Sequence, residues 1–458
     1  MRKLSVWGSG LALSALASAA LAGQAQPQPQ PQPQVQPAAP APQVAPAGVT
    51  AAAFLPNTQA LFDGYVRDGK MPGIVGAFGI GDFPTLFVSA GRIADEPTAP
   101  AAGPDSLWRV YSMTKPVTAF AAMLLVEDGK LRLDQPISDF FPGFAKMRVL
   151  TSPDTGLDSV PARTPITVRH LLTHTAGLGY NIVSKGPLKA EYERLGILPA
   201  AVNAQMEAQM RTVRPASLSE FASRVATLPL IAEPGTKWSY SIGLDVMGAV
   251  IEKASGMPFD RFVQTRLFDP LGMTSSYWTV PASEAGRFAT NYAWMGDKRV
   301  PLDPAATSIW LKAPSFPYGG AGLVMSARDY DRFLAAIANG GGVGGVRVAK
   351  PETIAAMTSN LLPAGVTFGG IGGGTGGTTA PVPMGFGAGG SVYLADGPGG
   401  FPGKGTYGWG GAAGTIAFVD PARKFRATVM VNYFPAERWP LRAEIAQALG
   451  KDAARLGR

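Results

Sequence analysis

Ser112 and Lys115 stand three residues apart in Tyr111-Ser112-Met113-Thr114-Lys115-Pro116, and no other serine of the chain has lysine at the third position after it. A serine hydroxyl is a poor nucleophile until an adjacent base takes its proton. On a helix, positions i and i+3 share one face a turn apart, so the Lys115 amine would approach the Ser112 hydroxyl. A helix-capping serine followed by a solvated lysine would carry the same spacing. The choice between the two rests on the rest of the sequence.

Other hydrolytic chemistries fit less well. The chain holds two histidines, His170 and His174, and no cysteine. Their i, i+4 spacing suits a zinc pair, but Leu171 stands where a zinc protease carries its glutamate base, and no thiolate completes the site. Both read as structural. A Ser-His-Asp hydrolase would need one of these histidines and a G-x-S-x-G elbow, which the sequence lacks. A nucleophile whose base is not histidine is favoured.

Two further segments bear on that nucleophile. Lys237-Trp238-Ser239-Tyr240-Ser241-Ile242-Gly243 places Tyr240 just before a helical stretch. A phenol beside an amine can exchange a proton with it and serve as acid or base near neutral pH if its pKa falls. A core tyrosine closing a loop would look the same. Tyr407-Gly408-Trp409-Gly410-Gly411-Ala412-Ala413-Gly414-Thr415 enters a late strand pair. Small residues there would let a substrate lie along the backbone, whose amides would stabilise an oxyanion. A tight turn is the alternative.

The elements that must position these residues can be read from periodicity. A helix is expected over 52–69, then strands over 72–81 and 84–90 joined at Asp82-Phe83. Residues 116–127 are apolar on nearly all sides, as in a buried helix, and Pro116 fits its first turn. Ser217-Leu218-Ser219-Glu220 has the capping-box form ahead of a helix over 221–228. Helices follow over 243–254 and 327–339, strands over 414–419 and 425–433, and a closing amphipathic helix over 437–449. Two early strands and two or three late ones predict an α/β fold whose sheet draws on both chain ends, with a helical second lobe. Residues 365–390 are glycine-rich. Gly372-x-Gly374-x-x-Gly377 matches a dinucleotide fingerprint in letters only, without the flanking strand and helix, so a mobile surface loop is expected.

Composition bounds the rest. Arg2, Lys3, an apolar run over 11–21 and small residues near Ala22 have the form of a secretory leader, expected over 1–25. The run is too short and alanine-rich for a good membrane span. Residues 26–48, nearly all Pro, Gln, Ala and Val, read as an extended disordered linker. The formal net charge of +8 becomes +6 once Arg2 and Lys3 leave with the leader. The basic residues are scattered, so nucleic acid is not an expected partner. Without cysteine, neither disulfides nor a lipid-modified cysteine at the cleavage site can form.

Together, the segments around Ser112, Tyr240 and Trp409 resemble the serine β-lactamase and penicillin-binding-protein superfamily, and most of all its class C-like branch, the family VIII carboxylesterases. The resemblance runs over about 51–449. It is supported by 171–178, by Leu267-Phe268-Asp269-Pro270-Leu271-Gly272-Met273 and by Gly319-Gly320-Ala321-Gly322-Leu323-Val324-Met325-Ser326. It implies an antiparallel sheet flanked by helices, with an α/β part at about 49–110 and 300–458 and a mostly helical lobe at about 111–299, in a hydrolase domain over 49–458. It also implies roles: Ser112 as the acylated nucleophile, Lys115 and Tyr240 as proton-transfer groups, the backbone N–H groups of Ser112 and Ala412 as oxyanion hole, and Trp409, Gly410 and Gly411 as the substrate-binding strand. No metal or organic cofactor is implied.

The chain departs from the lactamase pattern twice. Ile242 replaces the asparagine of Tyr-x-Asn, and Trp409-Gly410-Gly411 replaces Lys-Thr-Gly, removing the cation that meets a β-lactam carboxylate. An unpaired substrate carboxylate in a partly dry site is unfavourable, so the expected substrate is a small, uncharged carboxylic ester cleaved by an exported enzyme. A β-lactamase, a D-Ala-D-Ala peptidase or amidase, and a non-catalytic wall-binding relative are the alternatives. The segment over 178–216, with Tyr180, Tyr192, Met206 and Met210, is expected to form a wall or lid over the acyl pocket.

Overall fold

The computed structural model describes residues 51–81, 83–370 and 382–455. The expected leader, linker and G-x-G-x-x-G letters lie outside them. Nine helices concern the site and its frame: α1 Pro56–Arg67, α2 Thr114–Glu127, α3 Val168–Leu172, α4 Gly186–Arg194, α5 Ala204–Met210, α6 Leu218–Val225, α7 Gly243–Ser255, α8 Ala327–Ala338 and α9 Leu441–Arg455. Seven strands form the main sheet: β1 Gly73–Ile80, β2 Leu86–Gly91, β3 Met384–Phe386, β4 Ser391–Tyr393, β5 Tyr407–Gly410, β6 Ile416–Asp420 and β7 Phe425–Met430. Their order is β3-β4-β5-β6-β7-β1-β2, antiparallel throughout. The early pair thus joins the late strands through β1 and β7, with Val75 opposite Met430 and Ile80 opposite Phe425.

Alternation along the strands gives the sheet two apolar faces. One carries Ile74, Phe78, Val429 and Ile416 against Phe62 of α1 and Leu441 and Ile445 of α9. The two chain ends are pinned there by buried Asp452. Its carboxylate accepts from Asn57 N (2.9 Å), Asn57 Nδ2 (2.7 Å), Thr58 N (3.0 Å) and Thr58 Oγ1 (2.7 Å), satisfying first-turn amides of α1. The other face meets α8 and runs into the core of the helical part. There α2 is buried along every residue from Thr114 to Leu125.

Three expectations change. The closing helix begins at Leu441 and runs to Arg455. The middle of the chain also carries hairpins, Arg148–Leu150 with Ser159–Pro161 and Asn291–Met295 with Lys298–Asp303. Most importantly, the glycine-rich stretch is not all surface loop: its end forms β3, with Phe386 buried. A Cβ on Gly389 would lie 2.7 Å from both Lys115 O and Ala119 Cβ. Glycine there lets the turn after β3 press against α2, a contact that apolar periodicity does not register.

Candidate active site

Ser112 lies in a 3₁₀ turn, Tyr111–Met113, that runs directly into α2. Free N–H groups at a helix start favour negative charge on a group placed there. The turn is under strain: Tyr111, just before the serine, has φ of 42°, a region a bulky side chain rarely adopts. Its ring is clamped edge-on by Trp310 and Phe434, and Asn291 Nδ2 donates to its hydroxyl at 3.0 Å. The surroundings over-determine the bend that presents Ser112.

Lys115 is fully buried. Its Nζ donates to Ser112 Oγ at 3.1 Å and to the Gly320 carbonyl at 2.7 Å. The Tyr240 hydroxyl is 2.6 Å from Ser112 Oγ, and the Lys115 amine lies 4.6 Å from the centre of the Tyr240 ring. The three residues are therefore in mutual contact, although Tyr240 comes from 128 residues downstream. It sits three residues before α7, on a turn held by Ser239 N to His174 O (2.9 Å) and Ile242 N to Gly179 O (3.2 Å). Ile242 is buried, an apolar replacement for the amide that the lactamase pattern carries.

The strand segment approaches from the other side. β5 pairs with β6 from Tyr407 to Gly410 but with β4 only at Tyr407 and Gly408. The far edge of Trp409 and Gly410 has no strand partner among the described residues. A Cβ on Gly411 would lie 2.5 Å from Val110 O, so glycine allows the strand end to reach the turn that holds Ser112. Ala412 is exposed in the turn that follows, and no acceptor among the described residues takes its N–H. The Trp409 ring lies 5.9 Å from Tyr240 and 5.2 Å from Phe386. A Cβ on Gly410 would lie 2.5 Å from Arg442 Nη2, so that guanidinium sits behind the strand, on the face opposite Trp409.

Aromatic rings wall the site. Tyr180, Trp238 and His174 surround Tyr240 at ring distances of 5.5, 6.4 and 4.9 Å, and Phe368 packs edge-on against Trp238 at 4.7 Å. Both histidines are structural. His170 Nδ1 accepts from Thr167 N at the start of α3. His174 Nδ1 accepts from Ser241 N at 3.2 Å. Burial, reinforced by the Lys115 charge, holds His174 well below the usual imidazole range, so it stays neutral beneath Tyr240.

The sequence reading did not single out Asp245, on the first turn of α7. It is fully buried; burial pushes its carboxyl up to about 6, while Lys115, the Gly320 N–H and Arg214 pull the other way. Its Oδ1 accepts from Gly320 N at 2.8 Å, and a Cβ on Gly320 would meet Oδ2 at 2.6 Å. The signal was present: a carboxylate in the otherwise apolar run from Gly243 to Ile251 must have a partner.

Known proteins share the sequence pattern and the fold. The profile of the Beta-lactamase family matches residues 58–450. Protein Rv1367c of Mycobacterium tuberculosis is 34% identical over 342 residues, covering 72% of this chain and 78% of that protein. Esterase EstB of Burkholderia gladioli is 33% identical over 399 residues, covering 83% and 91%. Among solved structures, that of EstCE1, described as a hydrolase with promiscuous acyltransferase activity, superposes with a TM-score of 0.70 at 26% identity, covering 87% of this chain and 99% of that one. With an antiparallel sheet between helices and a match spanning most of its length, the chain belongs to the Beta-lactamase family and is a serine hydrolase of its esterase-like branch.

Proposed function

We propose that the chain is an exported carboxylesterase that works through an acyl-enzyme on Ser112. One observation carries this reading: Ser112 Oγ lies within hydrogen-bond reach of both Tyr240 OH and Lys115 Nζ, as a nucleophile and its proton-transfer groups must. Ser112 Oγ attacks the ester carbonyl carbon, and its proton passes into the Tyr240–Lys115 pair. The backbone N–H groups of Ser112 and Ala412 take the developing oxyanion. The pair returns the proton to the departing alkoxide and an alcohol leaves. Water then attacks the acyl-serine and gives one proton to the pair, which returns it to Ser112 Oγ as the acyl–Oγ bond breaks and the carboxylic acid is released.

The substrate follows from the walls. Tyr180, Trp238, Phe386 and Trp409 form one aromatic cluster around Tyr240, so an uncharged small-molecule ester is favoured over a carboxylate-bearing β-lactam. EstB, named an esterase, supports the same class. Side-by-side rates on p-nitrophenyl esters and a chromogenic cephalosporin test it: fast ester turnover, lost in Ser112→Ala, is expected. Fast cephalosporin turnover with negligible ester turnover would make the protein a lactamase.

A second reading, acyl transfer to an alcohol, is favoured by the aromatic rings around Tyr240, which is only 7% exposed: an apolar surrounding favours an alcohol over water as the acyl acceptor. EstCE1 carries acyltransferase activity in its description. Added short alcohols would then divert product from acid to ester. Export is proposed from the leader-like first 25 residues, and N-terminal sequencing of protein recovered outside the cytoplasm checks it.

A further inference from the structure

The chain between Tyr180 and the start of α6 forms an arm carrying α4 and α5, and Arg214 lies at its end. Arg214 is buried, with its side chain 1% exposed, which is unusual for arginine unless every donor is used. Nη1 donates to the Tyr318 hydroxyl at 2.7 Å and to Leu198 O at 3.3 Å. Nη2 donates to Pro199 O at 2.9 Å, and Nε donates to Glu207 Oε2 at 3.2 Å. Three of these acceptors, Leu198 O, Pro199 O and Glu207, fold the arm upon itself or tie it to its own helix. The fourth, Tyr318, belongs to the turn that contacts Lys115.

Tyr318 opens the turn Tyr318–Gly322, closed by Gly322 N to Tyr318 O at 2.9 Å. Within that turn Gly320 O accepts from Lys115 Nζ at 2.7 Å, and Gly320 N donates to Asp245 Oδ1. The turn cannot shift toward α7: a Cβ on Gly319 would lie 2.4 Å from Leu244 O. The middle of the turn is held by α2 and α7, with Thr118 Oγ1 donating to Gly319 O at 2.7 Å, and at its Tyr318 end the side-chain hydroxyl accepts from Arg214 of the arm.

We propose that Arg214 is a positioning residue for Lys115: by holding the Tyr318 hydroxyl, it fixes the turn whose Gly320 carbonyl aims the amine at Ser112, so the arm governs proton transfer as well as substrate fit. This rests on the assignment of Ser112 and Lys115 made above. The groups facing the amine are Ser112 and Tyr240, with Tyr180, His174 and Asp245 around them. A displaced amine changes proton transfer without changing the walls that bind the ester, so the effect belongs in kcat.

The test uses the full chain with Arg214→Met, Tyr318→Phe and the double variant. Rates are taken per active site, titrated with a serine-directed phosphonate, so that unfolded protein does not count. Tyr318→Phe removes one hydroxyl and keeps the ring, and it decides the matter if Arg214→Met fails to fold. Expected is a fall in kcat of about tenfold in each single variant, since small misplacements of a catalytic group are costly. KM should stay within about twofold, the pH profile of kcat should shift, and the double variant should be no worse than Arg214→Met because both act through one contact. Unchanged kcat per titrated site, a change confined to KM, or additive losses would overturn the proposal. If the phosphonate does not label Ser112 of the unsubstituted protein, the nucleophile assignment is what fails.

Discussion

Two buried basic residues, Arg109 and Lys115, lie a few residues apart in the chain and differ in how their donors are used. Arg109, at the end of the strand Leu107–Arg109 that leads to Ser112, is fully buried with its donors saturated. Nε and Nη2 donate to Asp303 Oδ2 at 2.9 and 2.5 Å, Nη1 to Ala289 O at 2.6 Å, and Nη2 also to Ser308 Oγ at 3.0 Å. Lys115 is equally buried, but one of its two acceptors is a hydroxyl that must give up its proton. A saturated buried charge holds a structure in one state. A buried charge beside an ionisable hydroxyl can move a proton. On the proposed mechanism Arg109 serves stability and Lys115 serves chemistry, and each expectation can be broken separately.

The largest effect should come from Ser112→Ala, which removes the nucleophile: turnover should fall by about six orders of magnitude, as for other units of catalytic residues, with the melting temperature almost unchanged. Lys115→Ala should cost nearly as much. Tyr240→Phe keeps the ring packed among Tyr180, Trp238 and His174 and deletes one hydroxyl, so a loss of about 10²–10⁴ in kcat is expected, the usual worth of a proton-transfer group. Steady-state kinetics with thermal unfolding checks all three.

Arg109→Leu should show the reverse pattern. It leaves Asp303 buried without its partner and should cost about 3–5 kcal/mol of stability in urea unfolding, while the fraction that stays folded keeps turning over ester. A large kcat loss per titrated site with unchanged stability would erase the distinction between the two residues.

The smallest effect concerns pH and Asp245. Its folded pKa, about 6, lies above the ordinary 3.8 because the carboxyl is buried. A raised pKa favours the folded state fully below the unfolded value, and that contribution is lost as pH rises through the folded one. The stability of the unsubstituted protein should therefore drop relative to Asp245→Asn between pH 4 and pH 6 and run parallel above that. A gap constant over this window would place the Asp245 pKa at its ordinary value.

Much of the site was legible because its chemistry is local or its residue types are scarce. Ser112 and Lys115 are one turn apart, Tyr240 precedes a clear helix, and the two histidines were too few and wrongly flanked to compete. The sheet was legible where apolar residues run on through a strand buried on both faces, as in β1. β3, β4 and the inner end of the 365–390 stretch were not, because their order comes from glycines that let backbones approach, and a missing side chain leaves no periodic signal. Asp245, and the contacts of Gly320 within the Gly319–Ser326 segment, escaped for a related reason: one bond between segments 75 residues apart defines them, and spacing within either segment says nothing about it. Arg214 reads as one more scattered basic residue until its burial is seen.

A covalent intermediate at Ser112 is what the proposed mechanism requires above all. Rapid quenching of the full chain during turnover of a p-nitrophenyl ester, followed by peptide mass analysis, tests it directly. The acyl group should appear on the peptide containing Ser112, with a burst of p-nitrophenol close to one per active site, and both should vanish in Ser112→Ala. An acyl group on another residue, or ester turnover that survives Ser112→Ala, would contradict the assignment of the nucleophile.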